Sequence, residues 1–420
     1  MSARESRIPA LTVSTVEVED PITLLGSLPP RQQLLWLRRG EGMVGFGTAL
    51  RLQFAGPSRF ADASESWRAL VNAATVHDGV KLPGSGLIAF GTFAFAAESA
   101  VTSVLHVPSV IIGRRHGRGW ITRIDADFGH PQNDGTATPP PARTPAAAQS
   151  ISFTPGEFTP EKFLAAVDTA LATIAAGQVS KVVLARELVG SLAEPSDTAP
   201  TLSALAESYP DCWTFAVDDF IGSSPETLVA VTNNTVTARV LAGSAARGSD
   251  VASDQQAALD LATSAKDQDE HQYAVHSVLS ALRPHSPGVT ASEMPFTLRL
   301  PNLWHLASDV EGSLSDGSTS LDLVEALHPT AAVAGTPTPT AVALIDEWEP
   351  FDRGRYAGPV GWMGADGDGE WAIALRCAQI EEDGTVRAYA GAGIVAESIP
   401  AHELAETSLK FRPIVDAFTP

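Results

Sequence analysis

Cysteine is scarce in this chain of 420 residues, which has two, Cys212 and Cys377. Two thiols give no disulfide framework, and they suit the reducing conditions of the cytoplasm. No window approaches the ~20 consecutive apolar residues of a membrane helix, and the first residues lead into no apolar signal core. We therefore expect a cytoplasmic protein that has no membrane partner.

Positive charge is also in short supply. Lysine and arginine together number 28 against 49 aspartates and glutamates, which gives a formal net charge of −21 at pH 7. A chain with this charge repels the phosphates of nucleic acid, so we expect no nucleic-acid partner. If the substrate is itself an anion, a local cation or a metal ion must overcome the negative field.

Composition divides the chain into four parts. Residues 1–30 contain Pro and Ser and predict a loosely held arm, and residues 31–128 predict a β-rich scaffold without an acid–base constellation. Residues 129–150 form a Pro/Ala/Thr-rich connector. Residues 151–420 carry the candidate chemistry. The length alone allows two or three domains, or one fold built on large sheets.

The stretch over residues 352–418 predicts a compact unit with a binding site. Its pattern predicts three strands joined by Asp-Gly turns and then a helix, over residues 360–363, 370–380, 386–395 and 401–411. Glu403, Glu406 and Lys410 share one face of that helix, because they are spaced i, i+3 and i+7. Glycines in the third strand let a backbone approach a ligand. This combination predicts a site for an anion and a divalent metal.

Two further residues have both a functional and a structural interpretation. Lys181 lies in a strand predicted over residues 179–188, where it is either an edge-strand lysine that discourages aggregation or a partly desolvated amine that acts as a base. Glu226 begins a strand after a Ser-Ser-Pro turn, where its carboxyl is either solvated or directed into a pocket. Taken one at a time, these patterns leave both interpretations open.

Metal and nucleotide motifs are weak in the middle of the chain. A helix predicted from Ser264 carries Glu270 and His271, but it lacks the i, i+4 histidine pair of a zinc helix, so zinc is not expected. The glycine-bearing turn around Gly243 lacks the spacing of a phosphate-binding loop. The lone His305 is compatible with a structural role and with substrate contact.

In combination these segments resemble the chorismate-utilising enzymes, and within that family most closely the isochorismate synthases. The matching segments occur in order and include residues 180–186, 220–228, 241–244, 266–271, 303–306, 327–330, 355–362, 373–378, 391–394 and 403–410. The resemblance implies an α+β fold in which two large antiparallel β-sheets pack face to face with helices outside. It also implies an active site in a cleft between the layers.

The resemblance implies a role for each matched residue. Isomerisation of chorismate adds water at C2 while the C4 hydroxyl leaves, and this needs a base and an acid on opposite sides of the ring. Lys181 matches the base and Glu226 the acid. Glu270 and Glu406, with Glu403 nearby, match a Mg²⁺ site. The remaining matches contact the substrate: Gly243, Ser244, His305, Thr330, Tyr356, Arg376, Gly391, Ala392, Gly393 and Lys410.

Three positions bear on the reaction branch. Aminating relatives typically replace the lysine that is present here as Lys181. Val240 stands where aminating and salicylate-forming relatives usually have proline, and Ala242 stands where some have a nucleophilic lysine. These residues favour isochorismate formation without a glutaminase subunit, and the resemblance implies a monomer. A salicylate synthase, an enzyme like anthranilate synthase component I, and a non-catalytic chorismate-binding subunit stay open, as do menaquinone and siderophore pathways for the product.

Overall fold

The computed structural model describes residues 9–18, 23–127, 149–192 and 197–419, apart from the side chain of Lys266. The connector predicted over residues 129–150 lies, up to residue 148, outside the described residues. Among the helices in these ranges, none is long and apolar enough to cross a membrane.

The first part of the chain consists mainly of strands and contains the α-helix α1 (Arg59–Ala73). Its nine strands in the described residues are β1 (Ala10–Val18), β2 (Leu34–Arg38), β3 (Glu41–Phe46), β4 (Leu50–Phe54), β5 (Thr75–Asp78), β6 (Ile88–Thr92), β7 (Ser103–Val107), β8 (Val110–Arg115) and β9 (Arg118–Asp127).

The second part alternates strands with helices. Its strands are β10 (Thr154–Pro155), β11 (Lys181–Ser191), β12 (Trp213–Val217), β13 (Phe220–Ser224), β14 (Thr227–Thr232), β15 (Thr235–Ala246), β16 (Thr290–Ala291), β17 (Phe296–Arg299), β18 (Leu303–Ser313), β19 (Gly335–Thr336), β20 (Pro359–Gly364), β21 (Gly369–Ile373), β22 (Cys377–Ile380) and β23 (Thr385–Ile394). Its helices are α2 (Pro160–Ala175), α3 (Ala199–Ser208), α4 (Val251–Thr263), α5 (Ala265–Leu282), α6 (Ser320–Leu327), α7 (Thr338–Trp348) and α8 (Pro400–Ala417).

The described strands form two large, mostly antiparallel sheets, as the sequence predicts. The first sheet has the order β10-β11-β23-β22-β13-β12-β2-β3-β8-β9-β1-β5, with β19 also paired to β11. The second has the order β16-β18-β15-β14-β21-β20-β6-β7-β4, with β17 also paired to β18. Pairing of β12 with β2 and of β20 with β6 joins the two parts of the chain in both sheets. Both parts therefore contribute to one fold.

The main core lies between the facing sheets. Trp36 on β2 and Trp371 on β21 are fully buried there. The indole Nε1 of Trp36 donates to Glu370 Oε2 at 2.9 Å, which ties one sheet to the other. Strand residues alternate between faces, so Leu35 beside Trp36 packs on the opposite side of the first sheet, in a smaller core that includes α3 and α8.

The prediction of a loosely held arm over residues 1–30 is wrong for residues 10–18, because these residues form β1. This strand pairs along its whole length with β9 and is parallel to β5. Leu11 and Val13 are buried in the main core, and Val16 is exposed. Alternating residues in this segment thus provide one apolar face, as expected for a strand with one covered side.

The single strand predicted over residues 370–380 is also wrong. The chain leaves the second sheet at the end of β21, turns at residues 374–376, and enters the first sheet as β22. Arg376 has a φ of 48°, which breaks the extended conformation. This connection between β21 and β22 is a chain passage from one sheet to the other. A second such passage, from β13 to β14, runs alongside the first. The two passages are hydrogen-bonded to each other, from Ser223 N to Arg376 O and from Ile373 N to Glu226 O, both at 3.1 Å.

Candidate active site

A cavity lies where the two passages between the sheets meet α5 and α8. Two of the predicted site residues do not line it. Ala392 is buried on the opposite face of β23 from Gly391 and Gly393. Thr330 lines a neighbouring cavity instead. The predicted residues that do line the active-site cavity are Lys181, Glu226, Gly243, Ser244, Glu270, His305, Tyr356, Arg376, Gly391, Gly393, Glu403, Glu406 and Lys410.

Lys181 lies at the start of β11 and reaches across to α5. Its Nζ donates to Glu270 Oε1 at 2.7 Å, and both side chains are largely buried. Gly393 on the neighbouring strand makes room for this side chain, since a Cβ at residue 393 would lie 2.9 Å from Lys181 Cε. The interpretation of Lys181 as an exposed edge-strand lysine is therefore wrong. The amine is held in place within the cavity.

Glu226 lies in the passage between β13 and β14 and is buried. Burial raises its pKa to about 7, although the positive charges of Lys181 and Arg376 act in the opposite direction. Its backbone N donates to Ser224 Oγ at 3.2 Å, which fixes the start of the turn. A carboxyl with this pKa holds a proton at neutral pH for part of the time, as a general acid must.

Arg376 lies in the other passage, next to Glu226. It is buried, and burial lowers its pKa. In the described parts of the chain its guanidinium makes no ion pair, whereas buried Arg353 nearby is paired with Glu349 at 2.6 Å. A buried cation without a counter-ion is costly. Arg376 therefore suits an anionic ligand that enters the cavity.

The face of α8 that carries Glu403, Glu406 and Lys410 closes another side of the cavity. Lys410 Nζ lies 2.5 Å from Glu406 Oε1 and donates to Gly391 O at 3.0 Å. Ser244 Oγ also donates to Glu406 Oε1, at 2.9 Å. Burial alone would raise the pKa of Glu406, but Lys410 and Ser244 outweigh burial and lower it. Glu406 is therefore a carboxylate in the cavity.

His305 and Tyr356 supply neutral polar groups. Burial, and to a lesser degree the positive charges of Arg376 and Lys410, lower the pKa of His305 to about 3. Its Nδ1 lies 3.3 Å from the Gly243 carbonyl, to which it donates, so Nε2 is an acceptor. Nε2 is buried and has no hydrogen-bond partner among the described residues. Burial also raises the pKa of Tyr356, whose ring stacks on Tyr389 at 5.4 Å.

A family model described as "Chorismate binding enzyme" matches residues 2–419. The chain belongs to the chorismate-binding enzyme family.

Individual relatives support this membership. The isochorismate synthase DhbC of Bacillus subtilis is 44% identical over 270 residues, which cover 61% of this chain and 68% of the relative. A protein of Pseudomonas aeruginosa named salicylate biosynthesis isochorismate synthase is 30% identical over 442 residues, which cover 98% and 90%. The solved structure of MenF, the menaquinone-specific isochorismate synthase of Escherichia coli, has a TM-score of 0.80 at 26% identity and covers 98% of this chain and 96% of that chain. The predicted fold is confirmed.

Sequence reasoning missed one acidic residue in the site of this chorismate-binding enzyme. Asp267, on α5, lines the cavity together with Glu270. A Cβ at Gly243 would lie 3.2 Å from Asp267 Cβ, and Gly243 has a φ of +82°. The available signal was the i, i+3 spacing of Asp267 and Glu270, which places both on one helix face. Acidic residues are common in the first turn of a helix, so Asp267 alone does not indicate a site.

The carboxylates of this chorismate-binding enzyme match the ligand preference of Mg²⁺. Glu270, Glu403, Glu406 and Asp267 line one cavity, and Mg²⁺ prefers oxygen ligands. Among the described residues, no three acidic, histidine or cysteine side chains lie close enough to one another to hold a metal ion. Lys181 and Lys410 are bound to two of the carboxylates. The carboxylate oxygens are therefore suitable ligands for Mg²⁺, but they do not converge on one point.

Proposed function

We propose that this chorismate-binding enzyme interconverts chorismate and isochorismate. The observation that carries the proposal is that Lys181 and Glu226 line one cavity together with Arg376. A base, a protonated acid and an anion-binding cation are the groups that hydration of an allylic dianion requires. The relatives named as isochorismate synthases support the same reaction.

In the proposed mechanism the cations hold the substrate and the acid and base exchange its hydroxyl group. Arg376 and Tyr356 bind the enolpyruvyl carboxylate. Lys181 in its neutral form takes a proton from water, whose oxygen bonds to C2. Glu226 gives its proton to the C4 oxygen, which leaves as water while both ring double bonds shift. One water is consumed and one is released, and a proton passes back from Lys181 to Glu226 before the next turnover.

We propose Mg²⁺ as the cofactor, held by Glu270 and Glu406 with Glu403 nearby. The ion would supply positive charge for the ring carboxylate, which the net charge of −21 otherwise repels. Removal of divalent ions by a chelator should abolish turnover, and added Mg²⁺ should restore it. Chorismate binding measured by calorimetry should weaken in Glu406→Ala while the far-UV circular dichroism spectrum stays unchanged. Full turnover in excess chelator would show that no such ion is needed.

We also propose that the enzyme acts alone in the cytoplasm, as a monomer without a glutaminase subunit. Both cysteines are buried free thiols, as a reducing compartment permits. The menaquinone and siderophore pathways are both compatible with this activity.

The decisive experiment is incubation of the purified chain with chorismate and Mg²⁺, followed by chromatography of the products. We expect a mixture of chorismate and isochorismate, because one allylic alcohol replaces another of similar energy. Isochorismate supplied alone should give the same mixture. Salicylate as the dominant early product would favour the salicylate synthase alternative. An aminated product, formed when ammonia is supplied, would contradict both. No conversion at all would favour the non-catalytic subunit.

A further inference from the structure

A second cavity, of about 250 Å³, lies behind the Lys181–Glu270 ion pair. Lys181 and Glu270 line this cavity as well as the active-site cavity, so the ion pair forms the wall between the two. On the far side the second cavity is bounded by α5 at Tyr273, by the segment after β23 at Ala396, and by Thr336 of β19. Tyr273 and Ala396 are exposed, so this side opens to solvent.

The charges around the second cavity disfavour the substrate. Asp269 and Glu397 line it in addition to Glu270, and among the described side chains that line it Lys181 is the one cation. Lys181 is already paired with Glu270 at 2.7 Å. A dianion such as chorismate would therefore meet a net negative entrance, whereas a neutral molecule would not. The cations Arg376 and Lys410 line only the active-site cavity.

The size and chemistry of the second cavity suit water. Its volume exceeds the roughly 30 Å³ that one water molecule takes up in the liquid. The hydroxyls of Ser180, Thr336 and Tyr273 provide hydrogen-bonding partners beside small apolar side chains such as Ala396. In the neutral form that the proposed mechanism requires, the Lys181 amine has two hydrogens and a lone pair, and the contact to Glu270 uses one hydrogen and leaves the lone pair for a water molecule. Water held here would lie next to the amine that activates it.

We propose that this second cavity holds and supplies the attacking water, and that water reaches Lys181 by a route separate from the one that chorismate takes. The inference rests on the proposed function. Lys181 then receives water from a solvent-filled cavity that is separate from the substrate site. Chorismate can then fill the active-site cavity without displacing the nucleophile.

The test is to fill the second cavity after the protein has folded. Ala396→Cys places an accessible thiol at the entrance, while Cys212 and Cys377 are buried and should not react. The variant is treated with a methyl or a benzyl methanethiosulfonate, which differ in bulk, and dithiothreitol removes either label. Ala176→Cys, at an exposed alanine that does not line either cavity, receives the same labels as the matched control.

We expect the benzyl label on Ala396→Cys to lower kcat by roughly tenfold or more while KM for chorismate changes by less than about twofold. The methyl label should have a smaller effect, dithiothreitol should restore activity, and the labelled control should behave as wild type. Unchanged kcat with the benzyl label would overturn the proposal. So would a raised KM with unchanged kcat, because the second cavity would then be the entrance for chorismate. Isochorismate formation by the unlabelled variant is measured first, so a wrong function is detected separately.

Discussion

At the scale of single residues, the proposed acid and the proposed base have different partners in the site. Glu226 is buried and its pKa is raised to about 7, whereas Lys181 is held by the Glu270 carboxylate at 2.7 Å. Lys181→Ala and Glu226→Gln should each lower kcat by roughly 10²–10⁴-fold, the range for acid–base groups. Lys162→Ala and Glu161→Gln, at exposed positions of α2, are the matched controls. Wild-type turnover in either active-site variant would refute its assigned role.

The raised pKa of Glu226 also predicts a pH dependence. The acid acts only when protonated, and its protonated fraction falls about tenfold for each pH unit well above the pKa. Because burial places the pKa at about 7, the Glu226 carboxyl should lose its proton around neutral pH in the free enzyme. The measurement is the infrared band of the protonated carboxyl between pH 6 and 9, taken as the difference between wild type and Glu226→Gln. A band that does not change over this range is the contrary result.

The residue types in the site could be predicted from the sequence, but their pairing could not. Lys181 and Glu270 are 89 residues apart and meet only because β11 and α5 pack around one cavity. Lys410 and Glu406 are four residues apart, so helical spacing did place them on one face. Local spacing predicts contacts within one helix, whereas contacts between elements depend on the sheet order.

At the scale of elements, the two passages between the sheets place Arg376 beside Glu226. Most residues before and after the turn at 374–376 are apolar, so the pattern over residues 370–380 predicts one strand. The turn depends on the positive φ of Arg376 and on bonds to the other passage, such as Ser223 N to Arg376 O. Neither of these is visible in a local pattern.

Replacement of this arginine should separate binding from stability. Arg376→Met removes a buried cation that has no ion-pair partner in the described residues, so the melting temperature should rise or stay level. KM for chorismate should rise by roughly 10–100-fold, because a charge-assisted hydrogen bond contributes about 1.5–3 kcal/mol. Arg412→Met, on the exposed side of α8, is the control. An unchanged KM, measured beside thermal unfolding, would show that Arg376 does not bind the substrate.

At the scale of the whole molecule, both sheets are assembled from distant parts of the chain. The sequence predicted the two-sheet fold through the motifs of residues 151–420, yet it did not place β1. That strand lies between β9 and β5, and its apolar face carries Leu11 and Val13. Leu11 and Val13 alternate with polar residues, but Val16 falls on the exposed face, so the local pattern does not show which face is covered.

The buried strand β1 makes a testable contribution to global stability. Leu11→Ala should lower the free energy of unfolding by about 2–5 kcal/mol, the usual cost of a buried leucine replaced by alanine. Val16→Ala removes an exposed side chain of the same strand and should cost little. Urea unfolding followed by tryptophan fluorescence compares the two. Equal stability of both variants would show that residues 10–18 are a loosely held arm after all.

The two hydrogen-bonded passages between the sheets limit which residues of such a site can be replaced to change its reaction. Glu226 and Arg376 belong to the backbone that joins the two sheets, so neither can move without loosening that joint. Lys181 lies on β11, outside the two passages, and its neighbours there are Glu270 and Gly393. A different nucleophile can therefore be selected by substitutions near residue 181 alone. The departure of the hydroxyl group would stay the same.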